Sequence, residues 1–432
     1  MRVARVSWDG ADPAEIVDGI RAAAAPPPGL VKRVGEIIEA VRERGDDALN
    51  ELTVHLDGVI ERPETHRVAF KRLAEARGAV HAELLEALEL AAANVRAVAE
   101  AELGGEPVAV ELGQGQRVEI AARPVAAAGA YAPGGRAAYP SSVLMCCVPA
   151  RVAGVGRLAL ASPPEPDGTV GALTLAAAAI AGVDEVYALG GAQAIAALAL
   201  GTETIEPVDI VVGPGNAWVT EAKRQLFGEV GIDGLAGPSE LAVVLDGSAD
   251  AGTVVLDLLA QAEHGADSPL VAISPEAAIL GEIATAIDVA AGERPSVADA
   301  PLALVDAPSL ESALELADAL APEHLELQFA GADAELARDR VAGCVFVGPT
   351  GGTAFGDYAA GSNHVLPTGG AARFSGPLGA STFMRRTSVV ELGYAAAGEL
   401  AGPVDEIARA EGLPVHGESA RARGARKTPR TR

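Results

Sequence analysis

At 432 residues the chain is too long for one compact core and is sized for two main domains with smaller appendages. It is 49% hydrophobic and only 3% aromatic, carries a formal charge of −26, and has lysine only at Lys32, Lys71, Lys223 and Lys427. That balance suits a folded α/β enzyme and excludes nucleic acid and anionic membranes as partners, because both would meet a repulsive field over most of the surface. It also suggests a salty cytosol in which cations screen the self-repulsion, so stability is expected to rise with KCl.

The N-terminal segment MRVARVSWDGADP lacks the apolar run of a signal peptide, and the alanine-rich stretch 172–182 is too short to span a bilayer, so a cytoplasmic location is expected. After the break at Pro26, Pro27 and Pro28, Val31, Val34, Ile38 and Val41 recur at helical spacing, and a longer helix is predicted from about Ala79 to Glu100. From about Pro124 the texture changes. The runs PVAAAGAY, GRLALAS, DEVYALGG and VDIVVGPGN alternate with helical stretches, as in a parallel sheet. A second series begins near Gly237 and Pro238 with LAVVL, PLVAIS, LALV and GCVFVG. Two Rossmann-like parallel-sheet domains of α/β class are therefore expected, the middle one inserted in the other, with small helical appendages at both ends. The boundaries fall at 1–28 for an N-terminal appendage, 29–128 with 241–377 for the discontinuous first domain, 129–240 for the inserted domain, 378–420 for a helical segment and 421–432 for a disordered basic tail.

Cys146, Cys147 and Cys344 form no CxxC pair, and the first two lie in the apolar run VLMCCVPA, so they read as small core residues. Four of the seven histidines, His264, His324, His364 and His416, stand in unusual polar contexts. In LDLLAQAEHGADSP a helix with Val254, Leu258 and Leu259 inward places Gln261 and His264 three residues apart on one face, either as a ligand pair or as a solvated helix end. In ELADALAPEHLELQFA a helix stops at Pro322, and Glu323 and His324 open a strand with side chains directed apart. One could serve a water and the other a substrate hydroxyl, and His324 titrates near neutrality as a base requires.

The stretch GPTGGTAFGDYAAGSNHVLPTGG reads as an irregular functional loop in which Asp357 is a candidate ligand for a divalent metal. His364 could be a ligand or a structural histidine, with the structural reading preferred. Glu411 and His416 follow a helix across a Gly-Leu-Pro turn. Gln261, His264, Asp357 and His416 would make a mixed nitrogen and oxygen site for zinc, although glutamine is a poor ligand. No GxGxxG follows any strand. The turns GGAQAIAALAL and GPGNAWVTEAKRQLFG instead bring glycines and helix N-termini where a pyrophosphate could sit.

In this order, YAPGGRAAYPSSVLM, GGAQAIAALALGT, VVGPGNAWVTEAKR, GPSE, QAEHG, APEHLEL, GDYAAGSNHVLPT and EGLPVHGES resemble histidinol dehydrogenase, from about residue 30 to residue 420. The resemblance implies aldehyde-dehydrogenase-like domains, with NAD on the inserted one. It also implies a four-electron oxidation of L-histidinol through L-histidinal to L-histidine with two NAD. By motif it makes Gln261, His264, Asp357 and His416 the ligands of one zinc per subunit, which holds the substrate. It makes His324 the general base and Glu323 the residue that activates water, with Ser239 and Glu411 on the substrate and Tyr131, Gln193 and Asn216 on NAD. It further implies a homodimer in which the segment 378–420 reaches the neighbouring subunit's site. The competing reading is a cysteine-nucleophile aldehyde dehydrogenase that uses Cys344, which follows a glycine near a strand.

Overall fold

The structure is a computed structural model, and it describes all residues except 23–26, 61–64, 104–107, 135–136 and 426–432. The described chain divides into two units, the first of Met1–Leu103 and Val125–Phe383, the second of Gly104–Pro124 and Met384–Arg432.

The first unit opens with β1 (Arg2–Ser7), followed by the helices α1 (Ala14–Arg21), α2 (Leu30–Leu52), α3 (Phe70–Glu75) and α4 (Ala82–Glu102). After β2 (Val108–Glu111) and β3 (Arg117–Pro124), which belong to the second unit, strands and helices alternate. They are β4 (Ala127–Tyr131), α5 (Pro140–Ala153), β5 (Arg157–Ser162), α6 (Ala172–Ala181), β6 (Glu185–Ala188), α7 (Gly191–Leu200), β7 (Ile210–Val212), α8 (Ala217–Leu226) and β8 (Gly231–Ile232). These strands form one parallel sheet in the order β6-β5-β4-β7-β8, the doubly wound arrangement with the first strand at the centre. Fully buried strands such as Ala127–Tyr131 need no polar face, which is why they read as unbroken apolar runs.

The alternation resumes with β9 (Leu241–Leu245), α9 (Ala251–Ala262), β10 (Leu270–Ser274), α10 (Ala277–Gly292), β11 (Pro301–Asp306), α11 (Leu310–Leu320), β12 (His324–Gln328), α12 (Ala334–Arg338), β13 (Cys344–Val347) and α13 (Thr353–Tyr358). The strands build a six-stranded parallel sheet, β1-β11-β10-β9-β12-β13. Its two faces pack into separate cores. Leu241, Val243 and Leu245 of β9 meet Val254, Leu258 and Leu259 of α9 on one side, and Ala242 and Val244 join Leu325, Leu327 and Leu316 on the other.

The second unit pairs β3 antiparallel with β2 and with β14 (Met384–Glu391), and packs α14 (Tyr394–Ala410) against α15 (Pro414–Gly424). Asp405 is buried between these helices, where it accepts from Arg409 Nε at 2.9 Å and pairs with Arg421.

Several expected boundaries differ from this arrangement. Residues 1–28, expected as an appendage, contribute β1 to the six-stranded sheet through a register of Arg2 with Pro301. Within 29–128, α2 packs on α7 and α8, and α4 on α5 and α6, so these helices flank the five-stranded sheet. The segment 378–420, expected to be helical, also holds β14. Of the expected tail, 421–424 lie in α15, and 426–432 lie outside the described residues.

Candidate active site

Chemistry-bearing side chains gather at the amino-terminal ends of β9 and β12. Ser239 and Glu240 lead into β9, Glu323 precedes β12, and His324 is its first residue, in register with Leu241 on one side and Cys344 on the other. Local backbone features produce this placement. Ser309 caps α11 by accepting the Ser312 N–H at 3.1 Å. Ala321 ends the helix at φ 43°, the only described non-glycine residue with positive φ, and Pro322 prevents its continuation. Gly343 is required beside it, because a Cβ there would stand 2.6 Å from the Glu323 carbonyl oxygen.

Glu323 and His324 are both buried. Glu323 Oε2 accepts the Ser239 hydroxyl at 2.5 Å and the Glu240 N–H at 2.9 Å. Burial pushes the Glu323 carboxyl up, against the lowering influence of His324, Ser239 and the Glu240 amide. His324 Nδ1 lies 3.1 Å from the Glu240 carbonyl oxygen. A carbonyl only accepts, so Nδ1 carries the proton and Nε2 is the basic nitrogen of the neutral ring. Burial opposes charging of His324, but the Glu323 and Asp357 carboxylates outweigh it and raise the imidazole to about 9, above the near-neutral titration expected from the sequence. His324 Nε2 faces Asp357 Oδ1 at 3.5 Å.

Asp357 lies on α13, within the glycine-rich stretch expected to form no regular element. Burial opposes its ionisation, yet the imidazoles of His264 and His324 hold its carboxyl well below the usual range. His264 Nε2 is 3.8 Å from Asp357 Oδ2, too long for a hydrogen bond. His264 stands two residues beyond the end of α9, with its N–H on the Gln261 carbonyl at 3.2 Å, rather than on the helix face that carries Gln261. Gln261 is buried and its Nε2 donates to Ser239, while its buried Oε1 has no donor.

A divalent ion fits this donor set. The unpaired Gln261 oxygen, the Asp357 carboxylate and the His264 imidazole are oxygen and nitrogen donors, and two zinc ligands at about 2.0–2.1 Å stand only a few ångströms apart. Among the described residues, no group of three or more His, Cys, Asp and Glu side chains closes on one point within this chain. Glu411 ends α14 and His416 lies in α15, so both belong to the second unit, and both are exposed in the single chain.

The carboxyl ends of the five-stranded sheet carry the residues expected at a nucleotide. Tyr131 ends β4, Gln193 is buried in the first turn of α7, and Asn216 caps α8 by accepting the Trp218 and Val219 N–H groups at 3.0 and 3.3 Å. Gly213 allows β4 and β7 to approach here, at φ 115° and with no room for a Cβ against the Tyr131 carbonyl oxygen. The helix N-termini expected to receive a pyrophosphate are served by the protein itself. Gly190 N–H goes to Asp57 Oδ2 at 3.3 Å, and Gly191 N–H goes to the Tyr131 hydroxyl at 3.1 Å. The Asp357 backbone is linked to the helix that follows β4. Ser142, on the helix that follows β4, bonds His364 Nε2 at 3.2 Å, and His364 Nδ1 donates to the Asp357 carbonyl oxygen at 2.8 Å. Both ring nitrogens of His364 are thus engaged within the chain.

Cys344 is pushed up to about 11, chiefly by burial, and so stays a thiol, which is unsuited to a nucleophile. Cys146 and Cys147 are buried in α5. Sequence reasoning missed Glu240, Asp57 and Ser142. Of these, Glu240 in GPSE and Ser142 in YAPGGRAAYPSSVLM stood in singled-out motifs, and Asp57 stood in none.

Fold and site together define a doubly wound α/β protein in which a buried carboxylate and a buried imidazole, Glu323 and His324, stand together at the amino-terminal end of a strand of the six-stranded parallel sheet. Residues 24–424 match the family described as histidinol dehydrogenase. The histidinol dehydrogenase of Moorella thermoacetica is 46% identical over 395 residues, covering 90% of this chain and 93% of that one. That of Pseudomonas fluorescens strain Pf0-1 is 45% identical over 402 residues, covering 91% and 90%. The solved histidinol dehydrogenase of Elizabethkingia anophelis matches with a TM-score of 0.89 at 30% identity, over 98% of both chains. The chain belongs to the histidinol dehydrogenase family and is an oxidoreductase.

Proposed function

We propose that the protein oxidises L-histidinol through L-histidinal to L-histidine, the last step of histidine biosynthesis, as a cytoplasmic, zinc-containing homodimer that uses two NAD in succession. The observation that carries this reading is the Glu323–His324 pair, buried together beside Ser239 and Asp357 at the start of β12.

Hydride leaves a carbon readily only as its oxygen becomes an alkoxide, so the first oxidation needs a base at the substrate hydroxyl. In its neutral form His324 takes that proton on Nε2, with the ring held by the Glu240 carbonyl at Nδ1. Glu323, whose burial makes it a stronger base than an ordinary carboxylate, takes a proton from the water that adds to the aldehyde. His324 then takes the hydroxyl proton of the hydrate in the second oxidation. Each oxidation releases one hydride and one proton, and the added water supplies the second carboxylate oxygen.

Gln261, His264, Asp357 and His416 would hold zinc, which when bound supplies a template that positions the substrate through its imidazole and amino nitrogens. Tyr131, Gln193 and Asn216 would hold NAD, the hydride acceptor. Ser239 and Glu411 would contact the substrate, Glu411 and His416 reaching it from the other subunit. A tethered substrate keeps the reactive aldehyde from escaping between the two steps.

The test is NADH formation from L-histidinol before and after chelation, with zinc added back. Two NADH per histidinol, lost on chelation and restored by zinc, are expected. No absorbance change with histidinol, or turnover indifferent to chelation, would overturn the reading.

A further inference from the structure

Behind His324 lies a second acidic cluster that the proposed chemistry does not use. Glu326 follows His324 by two residues on β12, hence on the same face of the sheet, and is fully buried. Its Oε1 accepts both the Thr353 N–H at 2.9 Å and the Thr353 hydroxyl at 2.8 Å, which ties down the first residue of α13. Gln328, two residues further along β12, donates to the Gly351 carbonyl at 2.8 Å and holds the approach to the same helix.

On the other side stands Asp257 of α9, one turn before Gln261, its carboxyl set against that of Glu326. Asp257 Oδ2 and Glu326 Oε2 are buried and have no hydrogen-bond partner. One proton between two such neighbouring carboxyls would satisfy both, since a buried like-charged pair resists a second ionisation. Burial first and Glu326 second hold Asp257 up to about 7, and burial likewise raises Glu326. Asp357 lies one helical turn beyond Thr353 and faces His324 and His264.

We infer that Asp257 and Glu326 are positioning residues, a pair of neighbouring carboxyls that anchors the first turn of α13 and thereby fixes where Asp357 meets His324 and the metal. The inference rests on the reading of Asp357 as a zinc ligand, and it assigns a task to a buried acidic pair that would otherwise only destabilise the fold. Groups that orient a ligand in this way typically change metal affinity or activity by about 10–100-fold when removed.

Glu326→Leu removes the acceptor. Glu326→Gln keeps a carbonyl for Thr353 and an amide for Asp257, and Thr353→Val deletes one bond with little change of volume. Amide exchange of residues 353–358 in the metal-free protein, read by mass spectrometry, is expected to accelerate in Glu326→Leu and Thr353→Val. Zinc affinity by chelator competition should fall by about 10–100-fold in Glu326→Leu and by less in Thr353→Val, with Glu326→Gln returning both readouts to those of the unchanged protein. If Glu326→Leu fails to fold, Thr353→Val carries the comparison against Glu326→Gln. Unchanged exchange in a folded variant overturns the inference, as does zinc affinity that stays unchanged although the parent binds zinc. A glutamine variant no better than the leucine or valine variant also overturns it. Faster exchange in a protein whose parent binds no zinc supports the anchoring and overturns the metal reading instead.

Discussion

Ser239 donates its hydroxyl to Glu323 Oε2 at 2.5 Å and receives the Gln261 amide on the same oxygen, so one small side chain joins the proposed water-activating carboxylate to a proposed metal donor. Ser239→Ala leaves the buried Gln261 amide unpaired and takes one donor from Glu323. A hydrogen bond to a charged group contributes about 1.5–3 kcal/mol, so kcat/KM for L-histidinol should fall by about 10–150-fold. Steady-state NADH kinetics check this, and a loss under twofold would show that the bridge carries no part of the reaction.

The two buried partners should separate by step. Glu323→Gln removes the base for water addition while leaving His324 in place, so oxidation of histidinol to the aldehyde should persist while acid formation falls by about 10²–10⁴-fold. His324→Ala should depress both oxidations by a similar factor. Single-turnover NADH counts distinguish the two variants, and equal loss of both steps in Glu323→Gln would refute the division of labour.

Asp57 provides a pH signature remote from the proposed metal. Burial raises its carboxyl from 3.8 to about 6, against the lowering influence of the Gly190 N–H and Gln193. The folded state holds this proton more tightly than the unfolded chain does. The stabilisation is therefore fully present below about pH 3.8 and is lost as pH climbs through about 6. Asp57→Asn, which keeps an acceptor for Gly190 and Gln193, should melt higher than the parent at pH 7–8, by about 1–2 kcal/mol, with the difference closing near pH 4. Thermal melts across that window decide it, and a gap independent of pH would contradict the assignment.

If Glu411 and His416 complete the partner's site, a His324→Ala subunit and a His416→Ala subunit carry complementary defects. Mixed dimers should then hold one intact site and recover activity that neither parent shows. Heterodimers shown to form by mass but still inactive would argue against shared sites.

How much of this was legible in the sequence depended on whether the information was local. β4, β5, β9 and β10 could be read because a strand buried on both faces must be an apolar run, whatever it pairs with. The junction that carries Glu323 and His324 could be placed because a helix stop and a strand start fall within a few residues, Leu320 and His324. β1 could not, since Arg2 and Arg5 interrupt its apolar pattern and its partner lies about 300 positions away. α13 was hidden for a similar reason: its glycine-rich sequence has little helical propensity of its own, and Glu326, 27 residues before Thr353, holds its first turn. Asp57 meeting the start of α7 is likewise a contact between distant segments, 133 residues apart.

The position of β1 bears on how the protein can be handled. This strand covers the β11 flank of the six-stranded sheet and presents Arg2 and Arg5 where the sheet ends. Trimming the first dozen residues would strip the cover and leave β11, Pro301–Asp306, as a bare, largely apolar border able to recruit strands from other molecules. Shortened versions should therefore precipitate rather than merely soften, and affinity handles belong at the opposite terminus.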